Sequence, residues 1–268
     1  MSAPSILASQ TRYQLKASAR SGLTLGLGVL LPVLLFLGMS ALFSLEGFGG
    51  DIPVEIRGEA EVPTMQTYFT GGFMAYAVLY SGFAVLLPEL VAMREQGVLK
   101  RLRGTPLPLG AFVGAKVLTA LLMSATAVTL IVLLAWLIFD ISLPPAALAG
   151  LVVFTLLGTV TFVCLSFAGS TITRSTNGAA GLANGVAITL AMLSGVFFPV
   201  SMLPDQLSAI VQILPLEPLA HAFQSLYATG ASGIGLDARD LAILAGWALS
   251  GFAIARVWFR WDPRQRRS

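Results

Sequence analysis

Charge is scarce in this chain. Only 11% of its 268 residues are Asp, Glu, Lys or Arg, against about 25% in soluble globular domains. Hydrophobic residues make up 56% and the mean hydropathy is +0.83, which excludes an ordinary soluble domain and implies a polytopic membrane protein. Cysteine is nearly absent: Cys164 stands alone, so an intrachain disulfide is impossible, thiolate metal clusters are excluded, and a small buried thiol is what remains. No Gly-Lys dipeptide occurs, so there is no Walker A loop and no ATP hydrolysis by that route. The strict alternation expected of membrane-barrel strands is also missing.

What is present is long apolar runs. A bilayer core about 30 Å thick needs roughly 20 apolar residues per helix. Six runs meet that need, at about 22–45, 68–91, 111–139, 146–172, 178–200 and 241–259. The predicted fold is all-α with six membrane spans. The first run exceeds a signal-peptide h-region, and its leader of about 20 residues is long for an n-region, so it reads as an uncleaved span.

Orientation follows from Lys and Arg. With the N-terminus inside, every one of the 16 basic residues except Arg57 and Arg239 falls in the cytoplasm or at a cytoplasmic span end. Both termini are then cytoplasmic, and the net charge of +3 reflects topology, without a nucleic-acid partner. Trp136 near an outer end, and Trp258 and Trp261 near an inner end, fit an interfacial belt. The segment 202–227 tempts a seventh span, but Pro204, Pro215, Pro218, Asp205, Glu217 and His221 interrupt it. It reads as two short external or re-entrant helices, within an external segment of about 200–228.

The middles of the six runs hold no Asp, Glu, Lys, Arg or His, which disfavours ion-coupled transport. They also lack Ser/His pairs, paired acids and His-Glu-x-x-His, so intramembrane hydrolysis has no machinery. His221, the sole histidine, follows Glu217 by one helical turn. A helix-surface contact is the plain reading; a catalytic pair or metal site is the sharper one.

The charge that exists is concentrated in "AMREQGVLKRLRGTPLP", residues 92–108. As one helix, this cassette sets Val98, Leu99 and Leu102 on one face and Arg94, Gln96, Lys100, Arg101 and Arg103 around the other. Glu95 falls inside the aliphatic arc. Gly104 stops the helix, and Thr105-Pro106 starts the next as N-cap and N1. The spacing suits either an interfacial helix with snorkelling basic side chains or a helix that docks on a protein.

Two further patterns mark possible walls of a pathway. Phe69, Phe73, Tyr76, Tyr80 and Phe83 recur at steps of four and three along the second run, as packing or as a surface for amphipathic substrates. Gly181 and Gly185 stand at GxxxG spacing for close helix packing, with Asn184 beside them as a cross-helix bond or a lining group.

The second run followed by Glu95, Gly97, Leu99, Arg101, Arg103, Thr105 and Pro106 resembles the membrane subunits of ABC-2 type exporters, including doxorubicin-resistance-type permeases. The stretch 193–224, "LSGVFFPVSMLPDQLSAIVQILPLEPLAHAFQ", resembles the family's fifth span and external re-entrant helices. The resemblance implies an interfacial segment over 1–21 and one six-helix transmembrane domain over 22–268, with a coupling helix at about 93–104. Arg94, Glu95, Val98, Leu99, Lys100, Arg101, Leu102 and Arg103 would contact an ATPase. The implied partners are two copies of a separate ATP-binding subunit, a second permease copy or paralogue, and membrane lipids. This chain would bind no cofactor, with ATP and Mg held by the partner. The expected setting is a bacterial-type cytoplasmic membrane, and the expected cargo a drug-like, lipidic or glycolipid molecule moved outward. The rival readings are an ion-coupled carrier or channel, and a non-transporting scaffold.

Overall fold

The computed structural model describes Thr11, Arg12, Gln14 and residues 26–45, 54–56, 60–104, 109–228 and 236–259. The expected interfacial segment 1–21 lies almost wholly outside the described residues. A π-helical turn, Gly26–Leu30, leads into α1 (Leu31–Phe43), and a ribbon of β1 (Val54–Ile56) and β2 (Ala60–Val62) follows. Next come α2 (Met65–Leu79), a second π-turn Tyr80–Ala84, α3 (Leu86–Glu95), α4 (Val98–Arg103), α5 (Leu109–Phe139), α6 (Leu148–Ile172) and α7 (Thr176–Leu193). The chain closes with the short helices α8 (Asp205–Val211) and α9 (Glu217–Ser225), then α10 (Ala238–Trp258).

Four stretches are long and apolar enough to cross a membrane: Met65–Glu95, Gly110–Phe139, Pro145–Ile172 and Ala238–Trp258. Gly28–Phe43 is a shorter apolar helix, and α7 has 18 residues, about 27 Å at 1.5 Å per residue. The fifth run therefore ends earlier than the expected residue 200. Gly195, at φ +76, turns the chain out of the helix.

The helical reading has one exception. Val54 pairs with Val62, Glu55 with Glu61 and Ile56 with Ala60 in an antiparallel ribbon. Val54, Ile56 and Val62 are buried and Glu55 is exposed, the two-residue alternation of a half-buried strand. Three residues per strand are too few to register beside long apolar runs.

Most of the core gathers on α2 and its π-turn. The expected aromatic stripe is entirely buried: Phe69 and Phe73 are fully enclosed, and Tyr76, Tyr80 and Phe83 are at most 7% exposed. Phe36 of α1, Phe139 of α5 and Phe197 supply further rings, with Phe73 to Phe197 5.5 Å apart and Phe36 to Phe139 5.8 Å. Within this single chain the stripe packs against these rings.

The π-turn frees backbone groups that must be paired elsewhere. Ser166 Oγ of α6 donates to Gly82 O at 2.8 Å, and Ser81 Oγ donates to Gly28 O at 2.9 Å. The first π-turn thereby touches the second, and the second touches α6. At the other extreme α10 exposes most of its surface, as expected of a helix facing lipid.

Among the described residues, the segment expected to be external holds two short helices, in keeping with its prolines. They differ in burial: Ser208 and Val211 apart, α8 is largely exposed, whereas α9 buries Glu217, Leu219, Ala222, Phe223 and Gln224 against α2. Gly71 is where α9 meets α2, close enough that a Cβ there would stand 2.6 Å from Gln224 N. Gln224 Nε2 then donates to Gly195 O at 2.9 Å, tying the exit of α7 to the same point.

Candidate functional site

Two ends of the bundle carry polar groups, one at the ribbon and one at the basic cassette. The cassette is not one continuous helix. α3 stops at Glu95, Gln96 and Gly97 form a turn, and α4 begins at Val98. Gly97 has φ +68, a left-handed conformation that costs glycine little and other residues more. Gln96 N donates to Ala92 O at 2.9 Å and Gly97 N to Arg94 O at 3.1 Å, closing α3. Gly104 N donates to Arg101 O, so Gly104 ends α4 as its position suggested. Thr105 and Pro106 lie outside the described residues.

This break re-sorts the cassette. Leu99 is fully buried, in a small cluster with Leu86, Leu90 and Phe112, and anchors α4 to α3 and α5. Val98 is half-buried, and Lys100 and Arg101 are exposed. Only the backbones of Leu102 and Arg103 are described. Arg94, expected on the polar face, is 3% exposed. Its Nη1 donates to Ser170 O and its Nη2 to Thr173 O, each at 2.7 Å. Those carbonyls end α6, where a helix leaves acceptors unpaired and a cation opposes the dipole favourably.

Glu95 is exposed and does not sit among aliphatic side chains. Its Oε2 accepts from Thr176 N at 3.1 Å and from Thr176 Oγ1, at the first residue of α7. The wheel that placed Glu95 between Leu99 and Leu102 assumed 100° steps through Gly97, and the turn there cancels the phase. Next to the cassette, Lys116 Nζ of α5 donates to Glu89 of α3 at 2.5 Å, with Lys116 buried and Glu89 half open.

α7 has two unlike faces. Ala179, Ala183, Ala187 and Ala191 are all fully buried, a four-residue repeat of small side chains that seats the helix on α3 and the second π-turn. Gly181 and Gly185 are exposed, with nothing within 4 Å of a Cβ at either. The expected GxxxG packing is therefore not made within this chain. Asn184 reaches inward: Tyr80 Oη donates to its Oδ1 at 2.6 Å, and its Nδ2 donates to Ala180 O at 2.9 Å. Tyr80→Phe keeps the ring and removes that donor, a loss of about 1 kcal/mol. We expect thermal unfolding in detergent to shift down by about 2–4 °C, while an unchanged transition would show that the bond carries no weight.

An apolar groove that the sequence reading did not single out runs between α7 and the α6–α10 pair. It encloses about 470 Å³ and is lined by Leu79, Phe83, Phe162, Leu165, Leu182, Val186, Leu190, Pro215, Trp247 and Trp258, among others. Of the aromatic stripe, Phe83 alone reaches it. Its residues come from five separate segments, so no local spacing announces it.

At the ribbon end His221 meets Asp240. His221 Nδ1 lies 2.6 Å from Asp240 Oδ2, and Asp240 is fully buried at the start of α10. Asp237 caps the same helix by accepting from Arg239 N at 2.8 Å. The pairing joins α9 to α10, and the carboxylate's place in a capping turn accounts for it. Cys164 is half-buried and free.

Comparison with known proteins agrees with this architecture. The family described as ABC-2 type transporter matches residues 6–228. A protein of Bacillus subtilis (strain 168) named "Putative transport permease YvfS" is 28% identical over 152 residues, which is 56% of this chain and 61% of that protein. The chain thus aligns with under two thirds of that relative's length. A match that runs from the N-terminal segment through α9, over most of the chain, leaves one assignment: this chain belongs to the ABC-2 type transporter family.

Proposed function

We propose that this chain is the membrane-spanning permease subunit of an ABC exporter, with ATP hydrolysed by a separate subunit. One observation carries the reading: a match to the ABC-2 family over residues 6–228 in a chain whose basic cassette ends in a short helix that exposes Lys100 and Arg101. In this reading α1, α2–α3, α5, α6, α7 and α10 are six spans, and the basic end and both termini are cytoplasmic. The chain itself is non-catalytic.

The ATP-binding subunit would meet the outward side of α4. Lys100 and Arg101 offer exposed positive charge there, whereas Leu99 faces inward and holds α4 in place, and the buried Arg94 holds the end of α3. A second permease copy would lie along the open side of α7, where Gly181 and Gly185 permit close approach. The cargo is a drug-like or lipidic molecule, for which the 470 Å³ apolar groove is a better match than the buried aromatic stripe.

The test is co-purification with a co-expressed candidate ATP-binding subunit. Lys100→Glu/Arg101→Glu should lower its recovery about tenfold or more, since like-charge juxtaposition at an interface costs several kcal/mol. Membrane insertion should be unchanged. Recovery equal to the parent would remove α4 as the contact.

A further inference from the structure

We propose that Glu95 is a positioning residue that transmits movement of α4 to α7, rather than a contact for the ATP-binding partner. The inference rests on the permease reading above. Its starting point is the turn of residues 173–175, which joins α6 to α7 and is gripped from both sides by the last two residues of α3. Arg94 holds the C-terminal carbonyls Ser170 O and Thr173 O, and Glu95 holds Thr176 N and Oγ1. Each charge opposes the helix dipole it faces, cation at a C-terminus and anion at an N-terminus.

The two grips differ in kind. Arg94 is buried with both bonds at 2.7 Å, so it fixes α3 to α6. Glu95 is exposed and lies two residues before Gly97. Gly97 is at φ +68 with nothing within 4 Å of a Cβ, so α4 is joined through a glycine turn with open space around it. Rotation of α4 about that turn reaches Glu95 before it reaches Arg94.

Nor is Glu95 needed to start α7. Ser175 already caps that helix, its Oγ accepting from Gly178 N at 3.1 Å. A carboxylate added at the first residue contributes little to helix formation, but it does set where the N-terminus of α7 sits relative to α3. What α7 carries makes that position matter. Leu182, Val186 and Leu190 wall the apolar groove, and Asn184 holds Tyr80 at the π-turn. Displacing the first turn of α7 would change the width of the groove.

A clean variant exists on the other side of the bond. Thr176→Pro removes both the N–H and the hydroxyl that Glu95 accepts from. Proline suits the first position of a helix, and Ser175 at φ −135, ψ 155 already has the extended backbone that a residue before proline requires. Glu95→Ala and Thr176→Pro should therefore behave alike, and the double variant should be no worse than either.

Two measurements decide it. The first needs no partner: in a Cys164→Ala background, spin labels at Lys100→Cys and Gly181→Cys in nanodiscs report the α4–α7 distance. We expect one narrow distribution for the parent and the same broadening in both variants. The second uses the complex: recovery of the ATP-binding subunit stays within about twofold of the parent, while transport falls about tenfold. Unbroadened distances in both variants would overturn the proposal. So would loss of recovery in Glu95→Ala with parental behaviour in Thr176→Pro, which would return Glu95 to the partner interface. If the parent recovers no ATP-binding protein, the permease reading fails, and the distance comparison still decides the link.

Discussion

Gly71→Ala should prevent α9 from seating on α2 and lower the thermal unfolding midpoint in detergent by about 5–10 °C. The added Cβ would lie 2.6 Å from Gln224 N and 2.7 Å from Gln224 Cα. These are backbone atoms of a packed helix, so no rotamer change relieves the clash. Gly72 repeats the constraint one residue on, with Val196 O 3.0 Å from its Cβ position. Displacing α9 also strains the Gln224 bond to Gly195 O and the His221 contact with Asp240, which draw α7 and α10 to the same helix. Gly38→Ala is the control. It lies within α1, and nothing stands within 4 Å of its Cβ position, so replacing a helical glycine there should be neutral or stabilising by about 0.5–1 kcal/mol. Equal midpoints for the two variants would show that α9 does not rest on α2.

This interlock could not be foreseen from spacing, and the reason is physical. Composition and run length locate helices because the bilayer thickness sets a length and apolarity that any span must meet; the runs near 111–139 and 146–172 became α5 and α6 within a few residues. Proline placement likewise cut 202–227 into short helices. Which face of a helix is covered is a different matter. The five aromatic residues of α2 lie on one stripe as their spacing indicates, but Phe36, Phe139 and Phe197 close over it from elements distant in sequence. Gly181 and Gly185 were the conspicuous small pair on α7, yet the packed repeat is Ala179, Ala183, Ala187 and Ala191. In a chain rich in alanine that repeat carries no contrast. The cassette fails at one dihedral: the helical wheel is continuous only if Gly97 is helical, and at φ +68 it is not.

Arg94 is the residue whose role changes most, and its replacement is the second large effect we expect. Arg94→Ala deletes the donors to Ser170 O and Thr173 O in a buried place, where water cannot substitute. Bonds to a charged donor contribute about 1.5–3 kcal/mol each, and stranded carbonyls add a desolvation cost. The loss should be about 3 kcal/mol or more, read as a lower unfolding midpoint and less folded protein. Arg94→Lys separates this account from a surface role. A lysine keeps the charge but lacks the planar fork that spans two carbonyls, so it should recover one bond and fall between alanine and arginine in stability. If Arg94 instead met an ATP-binding subunit directly, lysine would serve nearly as well, stability would be unaffected, and only recovery of the partner would fall. The order arginine, lysine, alanine in unfolding midpoint follows from the two carbonyls alone. Because those carbonyls end α6 at the turn into α7, the same variants should loosen the platform against which Glu95 holds Thr176. Arg94→Lys should therefore broaden the α4–α7 distance even where the protein still folds.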